Sequence, residues 1–160
     1  MKSLGRIILL TLIFVVGIQA SVRPAQAAVS CHTINAKGVG TGVDDGDGNP
    51  ATVATIATIK GGGLLHGTTA ASFGITGIAG TIASFDGMLT FTTNKATLTV
   101  AVVGGLDVVN GAFSATGDVV AATGKLVGAT GTLHFEGIQD LTTGDFTEDV
   151  TGNICVDLRP

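Results

Sequence analysis

The sequence predicts an all-β domain, a closed antiparallel barrel of about eight strands with the first and last strands linked by a disulfide. Three observations carry this expectation. Apolar side chains recur with a period of two, turn residues cut the chain at short intervals, and the two cysteines, Cys31 and Cys155, stand at opposite ends of the β region.

The chain opens with a segment of different character. Lys2 and Arg6 form a short basic start, Ile7 to Ile18 is an uncharged apolar run, and Pro24 precedes the small-x-small triplet Ala25-Gln26-Ala27. This is the pattern of a secretory signal, with cleavage expected between Ala27 and Ala28. The apolar run is shorter than the roughly 20 residues a spanning helix needs. Ser30-Cys31 lacks the large aliphatic residue of a lipid-attachment box, and lipidation would leave Cys155 unpaired. The expected organisation is therefore a signal peptide, 1–27, and a single barrel domain, 28–160, exported to the periplasm or the cell exterior. An exported chain with two cysteines is expected to form a disulfide.

Within the domain, turn residues mark the strand ends. Asp44-Asp45-Gly46-Asp47-Gly48-Asn49-Pro50, Lys60-Gly61-Gly62-Gly63, Gly77-Ile78-Ala79-Gly80, Thr93-Asn94-Lys95, Asn110-Gly111, Gly124-Lys125 and Thr143-Gly144 are all turn chemistry. They leave strands near 32–41, 51–60, 64–76, 81–93, 96–104, 112–122, 129–139 and 145–156. The clearest alternation runs through the fourth strand, with Phe85, Leu89 and Phe91 on one face and Ser84, Asp86, Thr90 and Thr92 on the other. Met88 breaks it. Connections this short imply antiparallel neighbours. If the first and last strands also pair, Cys31 and Cys155 meet and the sheet has no edges.

One motif occurs twice. Asp107-Val108-Val109-Asn110-Gly111-Ala112-Phe113-Ser114 and Asp140-Leu141-Thr142-Thr143-Gly144-Asp145-Phe146-Thr147 share Asp-x-x-(Asn/Thr)-Gly-x-Phe-(Ser/Thr). Asp accepts backbone bonds at a turn start, Gly takes the positive-φ position, and Phe enters the next strand facing the core. The pair reads as one hairpin design used twice.

Charge excludes some partners. Three of the eight Lys and Arg and none of the twelve acids lie in 1–27, so the domain carries a formal charge of −7. Such a surface does not suit nucleic acid or anionic lipid. The domain has no Trp or Tyr, so it lacks the aromatic girdles of a membrane-spanning barrel.

The stretch Thr123-Gly124-Lys125-Leu126-Val127-Gly128-Ala129-Thr130-Gly131, leading into Thr132-Leu133-His134-Phe135-Glu136-Gly137, resembles a segment of the allene oxide cyclase/dirigent-like barrel superfamily. Leu126 stands where that segment usually has an aromatic. The layout is also similar to secreted bacterial proteins of uncharacterised function that end in Gly-x-Ile-Cys, here Gly152-Asn153-Ile154-Cys155. The resemblance is closest near 116 to 155. It implies an eight-stranded antiparallel barrel, often trimeric, with a central apolar cavity. The plant enzymes of that superfamily use polar groups and a glutamate inside an aromatic-lined cavity. This chain has only Glu136 and Glu148 for that role, and no catalytic motif maps onto it.

Other chemistry is sparse. His134 and Glu136 share a face, but Leu133 and Phe135 take the opposite, core-facing side, so the pair reads as solvated. His66, beside Leu64-Leu65, reads either way. His32, His66 and His134 lack metal-ligand spacing. Asp45, Asp47 and Asn49 alternate as a calcium loop begins, but Pro50 replaces its Gly and Ile56 its closing Glu. Gly61-Gly62-Gly63 lacks the Lys-Ser/Thr of a phosphate loop. No catalytic, cofactor-binding or metal residue is assigned.

The expectation is a non-enzymatic exported binding or structural module, with a small apolar molecule in the barrel mouth as the default ligand. An isomerase or cyclase-like enzyme should instead place Glu136, Glu148 or a histidine inside a cavity. A self-assembling surface component should expose a large apolar patch. A carrier needs a cavity of about 300 Å³ or more.

Overall fold

A computed structural model describes residues 29–43, 49 and 51–158. The expected signal peptide with its Ala27/Ala28 cleavage site, and the acidic run at 44–48 with Pro50, lie outside the described residues. Eight strands follow in order: β1 (Ser30–Val43), β2 (Thr52–Gly61), β3 (Gly67–Ala79), β4 (Ile82–Thr92), β5 (Thr97–Asp107), β6 (Ala112–Ala122), β7 (Thr130–Gln139) and β8 (Asp145–Val156). Each pairs antiparallel with its chain neighbour, and β1 pairs with β8, so the sheet closes into a barrel. The third strand departs from the expected 64–76. Gly63–Leu65 forms a single 3₁₀ turn, which delays β3, and β3 then runs on to Ala79. Gly77 pairs with Ser84 inside the hairpin, so only Gly80 and Thr81 make the turn.

Closure depends on the register that the cysteines mark. Cys31 and Cys155 are directly opposed across β1 and β8 and are disulfide-bonded. The bond lies on the outer wall. Ile34, Ala36, Ile154 and Val156 take the inward positions of these strands and are buried, which turns Cys31 and Cys155 outward by the period-two rule. Beside it, Lys37 and Asp149 form an exposed ion pair across the same seam.

The two ends of the barrel differ. At one end the chain twice makes a 3₁₀ turn, at Gly63–Leu65 and Gly124–Leu126, and each turn folds a leucine inward. Leu65 and Leu126 are buried there over Ile34, Ile59, Phe91, Leu98, Leu133 and Ile154, and this end is filled. The opposite end carries the three hairpin turns between β3 and β4, β5 and β6, and β7 and β8. The repeated motif builds two of them in the same way. Asp107 Oδ1 accepts the Val109 N–H at 2.9 Å, and the Gly111 N–H donates to the Asp107 carbonyl at 2.8 Å. Asp140 Oδ1 accepts the Thr142 and Thr143 N–H groups at 2.8 and 3.2 Å, and the Gly144 N–H donates to the Asp140 carbonyl at 2.8 Å. Gly111 and Gly144 have φ near +77° and +79°, where a side chain would be strained. The backbone bonds from Thr142 and then Thr143 hold the Asp140 carboxyl below its ordinary range.

Candidate functional site

The hairpin turns surround an open mouth because the residues facing inward there alternate between very large and very small. Phe73, Phe85, Phe113 and Phe146 point into it from β3, β4, β6 and β8. Each stands directly opposite a glycine on a neighbouring strand: Phe73 opposite Gly87, Phe85 opposite Gly104, Phe113 opposite Gly137 and Phe146 opposite Gly40. A Cβ on any of these glycines would lie less than 3.0 Å from the ring it faces. The rings therefore lean sideways across bare backbone and leave the axis of the mouth free.

They meet in pairs on two sides. Phe73 and Phe85 have centroids 5.1 Å apart and are tilted, and Phe113 and Phe146 are 6.1 Å apart, edge to face. The second pair comes from the two copies of the repeated motif. Both geometries are favourable for aromatic rings. Leu89, Val102 and Phe135 line the cavity from mid-strand positions, and Phe135 stacks over Phe91 of the filled end at 6.4 Å.

The cavity between them has a volume of about 100 Å³. This is below the roughly 300 Å³ expected of a carrier, so the cavity does not enclose a whole ligand. An interior sealed by Phe and Leu is found only in the other half of the barrel. The mouth therefore has room for one end of a small molecule.

Among the described residues, one ionisable side chain faces this space. Glu148 lies on β8 two residues beyond Phe146, hence one layer deeper on the same face, and is only 9% exposed. Its strand neighbours on both sides are glycines, Gly38 and Gly137. A Cβ on Gly38 would lie 2.5 Å from Glu148 Cγ and Oε1, so the side chain leans over β1 as the rings lean over their own glycines. Glu148 makes no hydrogen bond or ion pair with the described residues. Burial without a partner pushes its carboxyl up to about 7. The other polar members of the lining are Thr55, Thr69 and Gln139, none of which titrates.

The remaining expected candidates lie elsewhere. Glu136 and His134 are exposed on the outer face of β7, as the Leu133/Phe135 alternation requires, and His134 Nδ1 lies 3.2 Å from Thr116 Oγ1. His66 is exposed at the filled end, and His32 Nε2 lies 2.9 Å from Ser30 Oγ at the same end. The structure thus separates Glu136 from Glu148, which sequence reasoning had named together. The signal for Glu148 was present in the repeat. Phe113 is followed two residues later by Ala115, Phe146 by Glu148, and both second residues line the cavity.

Exposed apolar side chains gather on the outer wall of β2 to β5, where Ile56, Met88 and Val103 stand among Ala and Thr. Met88, the exception in the β4 alternation, belongs to this wall.

No protein-family model and no curated protein matches the chain. Solved structures do. The pterocarpan synthase dirigent protein GePTS1 superposes with a TM-score of 0.54 at 11% identity, over 82% of this chain and 88% of that one. The pterocarpan synthase dirigent protein PsPTS1 does so with a TM-score of 0.50 at 13% identity, over 82% of this chain and 97% of that one. At such identities the likeness is one of fold. The closed eight-stranded antiparallel barrel of this chain thus shares its fold with these dirigent proteins.

Proposed function

We propose that the protein is an exported, non-catalytic binding barrel that seats one end of a small molecule in its open, Phe-lined mouth. The observation that carries this reading is the contrast inside one barrel. One half is packed shut, while the other keeps an open, Phe-lined cavity that the cross-strand glycines hold clear. The barrel fold shared with two pterocarpan synthase dirigent proteins supports the same reading. The disulfide is consistent with export into an oxidising compartment. A secreted product whose mass begins at Ala28 would bear out the signal peptide.

The binding test uses N-phenyl-1-naphthylamine, a neutral apolar dye, free of protein background because the domain has no Trp or Tyr. Saturable one-site fluorescence enhancement is expected, and Ala115→Phe, which fills the cavity, should abolish it. A dye signal that never saturates, or that survives Ala115→Phe, would remove this reading.

A second reading rests on Glu148. A carboxyl whose pKa lies near neutrality in an apolar cavity can take and return a proton, as an isomerase or cyclase requires. Among the described residues no second acid–base group faces it, so a binding role comes first. The outer wall of β2 to β5 keeps self-assembly in view, and sedimentation as a monomer across a wide concentration range would end it.

A further inference from the structure

The binding reading leaves the chemical class of the ligand open, and Glu148 narrows it. Apart from this one carboxyl and the amide and hydroxyls of Gln139, Thr55 and Thr69, the described residues lining the cavity offer hydrocarbon and ring faces. An ionised carboxylate buried without a partner is costly. A partner for Glu148 is missing from β1 and β7, since Gly38 and Gly137 flank it on both sides. A bound cation would supply one.

The charges of the whole barrel point to the same sign. Asp107, Asp140 and Asp145 lie at the turns around the mouth, while Lys60, Lys95 and Lys125 lie at the filled end. That end is roughly 25 Å away along tilted strands, well beyond the screening length of about 8 Å at physiological salt. Lys37, part-way along the outer wall, is paired with Asp149. The rim therefore draws cations, and ring faces around a cavity favour them as well.

We propose that the mouth takes a molecule bearing a compact cationic amine or quaternary ammonium head, seated among Phe73, Phe85, Phe113 and Phe146 with Glu148 as its counter-ion. This inference rests on the binding reading and specifies its ligand. The volume of about 100 Å³ suits such a head, with the rest of the molecule projecting from the mouth. Recognition by a protonated Glu148 donating to a neutral carbonyl would use the same cavity, but the acidic rim would contribute nothing to it. The two modes have opposite pH dependence. A cation needs the ionised carboxylate, so its affinity rises as pH passes through about 7; a neutral acceptor needs the proton, so its affinity falls. Among the described residues no other titratable group faces Glu148 across the cavity, from β1, β7 or the opposite strands, so the sign of the trend reports on it.

The test is calorimetric titration of the disulfide-intact protein with benzyltrimethylammonium, whose charge does not titrate, and with its neutral isostere neopentylbenzene, at pH 5 and pH 8. The expected result is tighter binding of the cation than of the isostere at pH 8, with cation affinity rising by about ten- to a hundredfold from pH 5 to pH 8. Glu148→Gln should remove both the preference and the pH trend. The pH series on the unaltered protein stands even if that variant fails to fold. Binding of the isostere as tightly as the cation, or a cation affinity flat or falling with pH, would overturn the inference and leave the binding reading standing. Failure of both compounds to bind at either pH would overturn the two together.

Discussion

The filled end and the open end of this barrel are built from the same eight strands by opposite choices of inward residue. At the filled end Ile34, Ile59, Phe91, Leu98 and Ile154 meet, and two 3₁₀ turns add Leu65 and Leu126 as plugs. At the open end each large ring faces a glycine, and the remaining space holds a carboxyl with no partner among the described residues. The first arrangement removes apolar area from water at every layer, which is the main favourable term in folding. The second gives up packing and places a polar group where water is scarce. The difference teaches that stability should reside at one end and ligand chemistry at the other.

The strongest test of that division is the disulfide, which lies toward the filled end. Cys155→Ser should lower the unfolding free energy by about 4–5 kcal/mol, because the bond closes nearly the whole domain into one loop. An unchanged melting temperature would refute a structural role. Next comes the plug. Leu65→Ala should cost about 3–4 kcal/mol in urea unfolding, since Leu65 is fully buried. A loss below about 1 kcal/mol would mean that the filled end is not tightly packed.

At the open end the sign should reverse. The folded-state pKa of Glu148 lies above its unfolded value of 4.5, at about 7. Between those values the folded chain holds a proton that the unfolded chain has released. The resulting stability is complete below about 4.5 and is lost as pH rises through about 7. From pH 5 to pH 8 this one group should cost about 2–3 kcal/mol. Glu148→Gln should flatten that slope and leave the variant the more stable protein at pH 8, as urea midpoints at the two pH values would show. Parallel slopes for the two proteins would mean that Glu148 reaches solvent. The smallest effect is expected from Phe113→Ala. Its half-buried ring should contribute about 1–2 kcal/mol, less than Leu65 despite its greater size. An equal or larger loss would erase the contrast between the ends.

Much of this was legible in the residues. Alternation placed Phe85, Leu89 and Phe91 inward and His134 and Glu136 outward, because side-chain direction in a strand follows from position parity alone. The repeated Asp-x-x-x-Gly-x-Phe motif specified two turns by local backbone chemistry. Leu65 and Leu126 were less legible: their inward turn depends on short 3₁₀ segments that carry no period of two. The candidate site was the least legible. Parity could place Glu148 on the inner face, since Phe146 lies two residues before it, but could not say what stands opposite.

The sequence by itself determined the strands, their faces, the turns and, through Cys31 and Cys155, the seam that closes the sheet, because each of these is set by neighbours along the chain or by a covalent bond. Only the tertiary structure decided that one end is filled and the other open, that each ring of the mouth faces a glycine, and that Glu148 has no partner among the described residues. Those outcomes depend on register between strands distant in sequence, and a shift of one residue in any pairing would turn that strand's inner face outward.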